Sequence, residues 1–319
     1  MKYPFRMEKR RAERNRTMTL DDGEIPGLRQ RLVTLGAESE PLRECDFLDR
    51  TICADTLRAL AVLPDALADL IIIDPPYNAT KNFNGLRFAA RPAASYDEYL
   101  ASWFPLVCKK LKPNGSLYVC GDWKCTSSLQ RAVEQELFVL NRITWQREKG
   151  RGASANWKNC MEDIWFAVKN PRDYYFDVAA VKMKRKVVAP YRENGSPKGW
   201  EESADGNFRL TCPSNFWDDI SVPFWSMPEN TAHPAQKSEK LYAKLILASC
   251  PRGGVVFDPF MGSGTASVTA KKLGRHFVGI ELNEEYCLLA EKRLLLAERD
   301  KTIQGYADGV FWERNTRPR

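Results

Sequence analysis

The sequence predicts an α/β protein whose core is a doubly wound, mostly parallel sheet interrupted by one loop-rich region. Three observations carry that reading. The run Leu70-Ile71-Ile72-Ile73 shows no alternation of apolar and polar residues, as expected of a parallel strand covered on both faces. Strand and helix patterns alternate along residues 50–168 and again along 239–298, the signature of a sheet with helices on both sides. Between these stretches, residues 169–231 hold six prolines and three tryptophans and lose the alternation.

Each element follows in order. A short strand at 51–53 leads into a helix through Leu57–Leu63 and then into the buried strand, which stops at Asp74-Pro75-Pro76 because neither proline can donate to a ladder. Residues Tyr96–Leu111 have helical spacing, with Tyr99, Trp103, Leu106 and Val107 on one face. Pro113-Asn114-Gly115 turns into a strand at 116–120, followed by a helix over Leu129–Leu137 and strands at Ile143–Trp145 and Ile164–Val168. Regularity returns with a helix at Leu241–Cys250, a strand at Val255–Asp258, a glycine turn with its helix, a strand at His276–Glu281 and a last helix over Glu284–Glu298.

Composition narrows the function. At 319 residues and 44% hydrophobic, the chain can bury a sizeable core. Its 48 Lys plus Arg outnumber 41 Asp plus Glu, and a net charge of +7 favours a polyanionic partner. No apolar run reaches the roughly 20 residues of a membrane span, and the Arg-rich start has no signal-peptide core. Nine scattered cysteines without a CxxC pair read as reduced thiols of a cytosolic protein. With two histidines, His233 and His276, neither a metal site nor a Ser-His-Asp triad is expected.

Two motifs carry chemistry. In the first, the strand Val255–Asp258 runs into Pro259-Phe260-Met261-Gly262-Ser263-Gly264-Thr265, then a helix and the strand ending at Glu281. Such a unit holds adenosine-type cofactors: glycines let the backbone approach, helix N–H groups face an anionic end, and an acid on the next strand takes the ribose hydroxyls. Glu281 would be that acid; a simple tight turn is the plainer alternative. The third glycine of a dinucleotide fingerprint is replaced by Ser267, which weakens a dehydrogenase reading. The second motif is Asp74-Pro75-Pro76-Tyr77 at the carboxyl end of the buried strand, where ligands bind in open α/β sheets. A carboxylate and a carbonyl held by stiff prolines suit an exocyclic NH₂, and Tyr77 offers a flat face to a base; strand termination with Tyr77 in the core is the alternative.

Together the motifs resemble those of the amino-group DNA methyltransferases, with Asp74–Tyr77 as catalytic motif, Asp258–Thr265 as cofactor motif, and the catalytic one first, as in the β-group. The resemblance covers about residues 52–118, 142–170 and 233–297, and includes Asn78–Gly85, similar to a loop of N6-adenine members. Segment His233-Pro234-Ala235-Gln236-Lys237 resembles the family's His-Pro-Thr-Gln-Lys-Pro, with Ala235 and Ser238 departing from it. The resemblance implies a Rossmann-like methyltransferase sheet and transfer of a methyl group from S-adenosylmethionine to N6 of a flipped-out adenine in double-stranded DNA. It assigns catalysis to Asp74, Pro75, Pro76 and Tyr77. Cofactor contacts fall to Asp55, Asp74, His233, Ala235, Gln236, Lys237, Asp258, Phe260, Gly262, Ser263, Gly264, Thr265, Glu281 and Asn283, with Lys237 facing the cofactor carboxylate. His233 as a structural residue is an equal alternative.

Nucleic-acid contacts would come from Asn78 and Lys81 and from the basic cluster Lys182, Lys184, Arg185 and Lys186, whose plainer reading is a solvated face. Trp200, Trp217 and Trp225 read as packing anchors more than base stackers. The expected organisation is a basic extension at 1–44, partly disordered or packing late; a catalytic half at 45–170; a target-recognition region at 171–232; a cofactor half at 233–298; and a tail at 299–319. N4-cytosine methylation, RNA methylation and a catalytically inactive relative remain alternatives, and the leading Asp of the catalytic motif favours adenine. The resemblance further implies a bacterial or phage-encoded enzyme of the cytoplasm, working at the nucleoid, and leaves open a homodimer and a cognate restriction endonuclease.

Overall fold

The computed structural model describes residues 12–36, 39–147, 155–188, 191–203 and 206–313. Nine strands form the central sheet: β1 (Val33–Thr34), β2 (Arg50–Cys53), β3 (Ala68–Ile73), β4 (Leu111–Gly121), β5 (Phe138–Gln146), β6 (Met161–Val168), β7 (Phe216–Trp217), β8 (Val255–Asp258) and β9 (His276–Glu281). Their spatial order is β1-β2-β9-β8-β3-β4-β6-β5-β7. β6 alone runs against its neighbours, pairing antiparallel with β4 and β5; the other pairings are parallel.

Besides two short helices at Ile25–Arg29 and Glu44–Phe47, the longer helices are α1 (Thr56–Val62), α2 (Ala93–Lys109), α3 (Thr126–Glu136), α4 (Glu239–Ser249), α5 (Thr265–Lys272) and α6 (Glu284–Arg299). They cover both faces of the sheet, and β3 shows how. Ile71 and Ile73 enter a core with Leu60 of α1, Leu100, Trp103 and Val107 of α2, and Leu129 of α3. Leu70 and Ile72 enter the opposite core with Leu241 and Leu245 of α4, Val268 of α5 and Leu294 of α6. Successive residues of a strand point to opposite faces, so a strand buried on both sides must be apolar throughout. Side chains start three of the helices beside the loops of the site: Asp55 accepts from Arg58 N, Ser238 from Leu241 N, and Asn283 from Tyr286 N.

Expectation and structure part at the ends of the chain. Residues 1–11 and 37–38 of the expected N-terminal extension lie outside the described residues, but the rest of it is not loosely packed. Arg16 N donates to Trp225 O at 2.7 Å and Met18 N to Asn230 O at 2.7 Å. Leu28 and Leu32 are buried with Met261 and Leu288 of the cofactor half, and β1 extends the central sheet. Those two leucines are four apart with Arg29, Gln30 and Arg31 between them, which hides the apolar face in a composition reading. The expected C-terminal tail is likewise structured through Glu313, residues 314–319 lying outside the described residues. Strands Tyr306–Ala307 and Val310–Trp312 complete a five-stranded sheet with Met183–Lys186, Gly206–Thr211 and Glu201–Ser203. Phe311 is fully buried against Val181, Met183 and Leu247, which anchors the tail on α4.

The 171–232 region therefore contributes a small sheet as well as loops, and Trp217 within it forms the outer strand of the main sheet. Trp200 and Trp217 are buried and Trp225 is exposed. All nine cysteines are free thiols. Among the described residues no helix is long and apolar enough to cross a membrane.

Candidate active site

The two motifs lie about 180 residues apart in sequence, yet β3 and β8 are direct parallel neighbours, with Leu70 opposite Val256 and Ile71 opposite Phe257. Both strands end at the same edge. From β8 the chain leaves through α5 towards β9, and from β3 through α2 towards β4 on the other side. This reversal opens the crevice in which ligands bind in open α/β sheets. A cleft of about 670 Å³ occupies it, lined by Asp55, Asp74–Tyr77, Lys81, His233, Ala235–Lys237, Phe260, Gly262, Ser263, Thr265 and Glu281. Asn78, Asp258, Gly264, Asn283 and the cluster 182–186 are not among the lining residues.

On the glycine side, the Glu281 carboxylate organises the turn. One oxygen accepts from Gly262 N at 3.0 Å and the other from Asn283 N at 2.8 Å; burial raises its pKa above the usual carboxylate range. Gly262 has φ +53°, and a Cβ there would lie 2.8 Å from His233 Nε2. Gly264 has φ +80°, and a Cβ would lie 2.6 Å from Ala290 Cβ on α6, so this glycine serves helix packing. Asp258 is buried beneath the turn, accepting from Phe260 N at 3.0 Å, and burial pushes its carboxyl well up. Phe260 meets Trp103 edge-on at 4.8 Å. The Ser263 hydroxyl is buried without a partner among the described residues. Thr265 accepts from Arg293 and donates to the Lys237 carbonyl.

His233 packs edge-on against Tyr286 with ring centroids 4.5 Å apart, and burial pushes it down to about 4, so it is neutral at pH 7. Gln236 is used as a brace: its oxygen accepts from Thr231 N and Oγ1, and its NH₂ donates to the Glu229 carbonyl. Ala235 lines the wall between them.

On the proline side, Tyr96 of α2 donates to the Pro76 carbonyl at 3.0 Å and pins the motif. Asp74 is engaged at both oxygens: Tyr77 hydroxyl donates to Oδ1 at 2.8 Å and Lys237 Nζ to Oδ2 at 2.5 Å. Lys237 therefore faces the Asp74 carboxylate, a partner the sequence reading did not name. Two groups that sequence reading missed complete the network. Glu162 of β6, 1% exposed, puts Oε2 3.1 Å from the Tyr77 hydroxyl and 3.4 Å from Lys237 Nζ, and it is ion-paired to Arg147. Burial lowers the pKa of Arg147 and raises that of Tyr77 well above its ordinary value, so the Tyr77 hydroxyl keeps its proton. The available signal was Glu162-Asp163 inside a run of apolar residues, since a buried carboxylate needs a partner.

The candidate nucleic-acid residues disperse. Asn78 is spent on the backbone of Arg91, donating to its carbonyl and accepting from its N–H, which closes the base of the hairpin Lys81–Phe83/Leu86–Phe88. Lys81 reaches into the cleft and donates to the Pro234 carbonyl at 3.3 Å. Lys182 precedes the strand Met183–Lys186, and the other three members of the basic cluster fall on that strand and split by alternation. Met183 is buried against α4, so Arg185 shares the inner face, 4.0 Å from Glu313. Lys184 and Lys186 share the outer face, with Lys184 over Phe208 and Trp312.

Comparison with known proteins accords with this geometry. The family described as DNA methylase, of N6/N4 type, matches residues 68–292. The chain is 33% identical over 251 residues to the Type II methyltransferase M.HpaI of Haemophilus parainfluenzae, covering 77% of this chain and 74% of that one. It is 31% identical over 268 residues to the DNA adenine methyltransferase YhdJ of Escherichia coli K12, covering 81% and 86%. Among solved structures, the M1.HpyAVI–SAM complex superposes with a TM-score of 0.51 at 26% identity, covering 76% of this chain and 98% of that one. The cytosine-N4-specific PvuII DNA methyltransferase shares the fold, with a TM-score of 0.58 at 17% identity over 85% of this chain and 94% of that one. With a family model matching residues 68–292 and relatives above 30% identity over most of its length, this chain belongs to the N6/N4 DNA methylase family of S-adenosylmethionine-dependent DNA methyltransferases.

Proposed function

We propose that the enzyme methylates N6 of adenine at specific sites in double-stranded DNA. The observation that carries this reading is the position of Asp74 and Tyr77 directly across the β3–β8 crevice from the glycine turn. The 31% identical relative from Escherichia coli is named for adenine, which supports the choice of base.

The cleft fits the cofactor. Gly262 leaves room for close backbone approach, Glu281 and Asp55 offer carboxylates, Phe260 and Tyr286 supply aromatic walls, and the Ser263 hydroxyl is an unpaired polar group. S-Adenosylmethionine supplies there a methyl group already activated by its sulfonium. The protein's task is to expose the amino lone pair, which conjugation with the ring otherwise withdraws. Asp74 and the Pro75 carbonyl accept the two N–H bonds, draw the nitrogen towards tetrahedral geometry and aim its lone pair; positioning and electrostatics do the work. A base stacked in a duplex cannot reach Asp74 inside the cleft, so it is flipped out. Tyr77, fixed through its hydroxyl, stacks on it, a contact of about 1–3 kcal/mol.

Sequence selectivity belongs on this reading to the 171–232 region, with Lys184 and Lys186 on phosphates. A chimera carrying a relative's segment methylates the relative's sites if so, and the original sites if not. A homodimer and a cognate endonuclease extend the reading; light scattering tests the first, and cleavage of unmethylated but not methylated DNA by a host extract tests the second. The deciding experiment is expression in a host lacking DNA methylation, then mapping of modified bases and mass spectrometry of digested DNA. N6-Methyladenine is expected, and a mainly N4-methylcytosine product refutes the proposal.

A further inference from the structure

The geometry points to Glu162 as a positioning residue that clears Asp74 for the target base by taking over the hydrogen bonds Asp74 accepts from Lys237 and Tyr77. The inference rests on the reading of Asp74 as acceptor for the target amino group.

Asp74 holds a hydroxyl on one oxygen and an ammonium on the other. A carboxylate has about four lone-pair sites, so a further donor is geometrically admissible. An ammonium at 2.5 Å nevertheless draws charge from the oxygen that must polarise the incoming N–H. It also places a positive charge where a second one develops as the amino nitrogen is methylated. Both donors need somewhere else to go.

Glu162 supplies the place, and one atom serves both. Its Oε2 lies 3.1 Å from the Tyr77 hydroxyl and 3.4 Å from Lys237 Nζ. A shift of Lys237 by less than about 1 Å completes the new ion pair at the 2.7–2.9 Å typical of N⁺–H···O⁻ bonds. No charge is exposed in the exchange. Asp74, Glu162, Lys237 and Arg147 carry two negative and two positive charges before and after it, and Arg147 holds Glu162 throughout. Apart from the neighbouring Asp163, which points to the other face, β6 is apolar around Glu162, and a carboxylate buried there for stability alone needs only Arg147; its second oxygen is aimed at the donors of Asp74.

The test uses four full-length proteins, wild type, E162Q, K237M and E162Q/K237M, with unmethylated plasmid DNA and labelled S-adenosylmethionine. In E162Q, Lys237 stays on Asp74, and kcat falls about 10- to 100-fold, the scale of one hydrogen bond to a charged group. Calorimetric affinity for S-adenosylmethionine stays within about twofold, because Glu162 is not among the residues assigned to the cofactor and Lys237 and Asp74 stay in place in E162Q. K237M then rescues: E162Q/K237M is about tenfold or more faster than E162Q, since the competing ammonium is gone. A merely structural Glu162 gives no rescue. Should E162Q fail to fold, E162D keeps the charge but shortens its reach, and must show the same loss and the same rescue by K237M. Wild-type turnover in E162Q, or a double variant no faster than the single, overturns the inference while leaving the methyltransferase reading intact. An active D74A protein overturns both.

Discussion

Replacing Gly264 by alanine should destabilise the whole protein, whereas the same change at Gly262 should act mainly on the cofactor cleft. At Gly264 the backbone sits at φ +80°, which costs an alanine roughly 1–2 kcal/mol. The new Cβ would stand 2.6 Å from Ala290 Cβ and 3.2 Å from its Cα, against about 3.5–4.0 Å for an ordinary carbon contact. Relief requires α6 to retreat by about 1 Å, and α6 is backed by Leu28 and Leu32 on its far side. Such overpacking adds about 1–3 kcal/mol, for a total of about 2–5 kcal/mol. At Gly262, with φ +53°, the obstacle is the His233 ring, which can rotate into the cleft. Stability should fall there by only about 1–2 kcal/mol, while cofactor affinity drops about tenfold or more. Urea unfolding followed by fluorescence measures the first quantity and calorimetry the second. In an A290G background, G264A should cost about 1–3 kcal/mol less, because only the steric part is relieved. A G264A protein within about 0.5 kcal/mol of wild type, a change no larger than an ordinary surface substitution, refutes the packing argument.

D74A should lower kcat about 10²–10³-fold or more with cofactor affinity preserved, read by methyl incorporation and calorimetry; near-normal turnover removes Asp74 from the chemistry. Asp219 is buried between Lys240 and Lys244, and D219A leaves two ammonium groups under the small sheet, so about 3–5 kcal/mol should be lost in urea unfolding at pH 7. Burial already lowers the Lys244 pKa, so that loss should shrink as pH rises and Lys244 sheds its proton. Glu229 is pushed up to about 7 by burial and then by Glu239. A carboxyl raised in the folded state adds stability that is full below about 4.5, its unfolded value, and disappears as pH rises through 7. E229Q should therefore gain on wild type at pH 8 and not at pH 4.5; identical pH profiles of unfolding reject that assignment.

The parts of this protein legible in the sequence are those whose signal lies within a few adjacent residues. Leu70–Ile73 with Asp74-Pro75-Pro76 declares both a doubly covered strand and its abrupt end, and Val255–Asp258 with its glycine turn declares a cofactor loop. Each needs only strand period and turn chemistry, which chain-neighbours determine. Lys237 shows where this stops. Its position at the start of α4 was legible, but its partner was not, because Asp74 and Glu162 reach it from β3 and β6. Leu28 and Leu32, and Phe311 near the other end, were hidden in the same way, since their apolar contacts come from elements far away in the chain. The basic run at 182–186 looked like one surface and became two, because a strand sends alternate side chains to opposite faces. The sequence by itself determined the elements, the two motifs and hence the chemistry available. Only the tertiary structure decided which charges share a cavity, because the β3–β8 and β4–β6 pairings join distant segments by matching surfaces, and that complementarity has no short-range spacing to betray it.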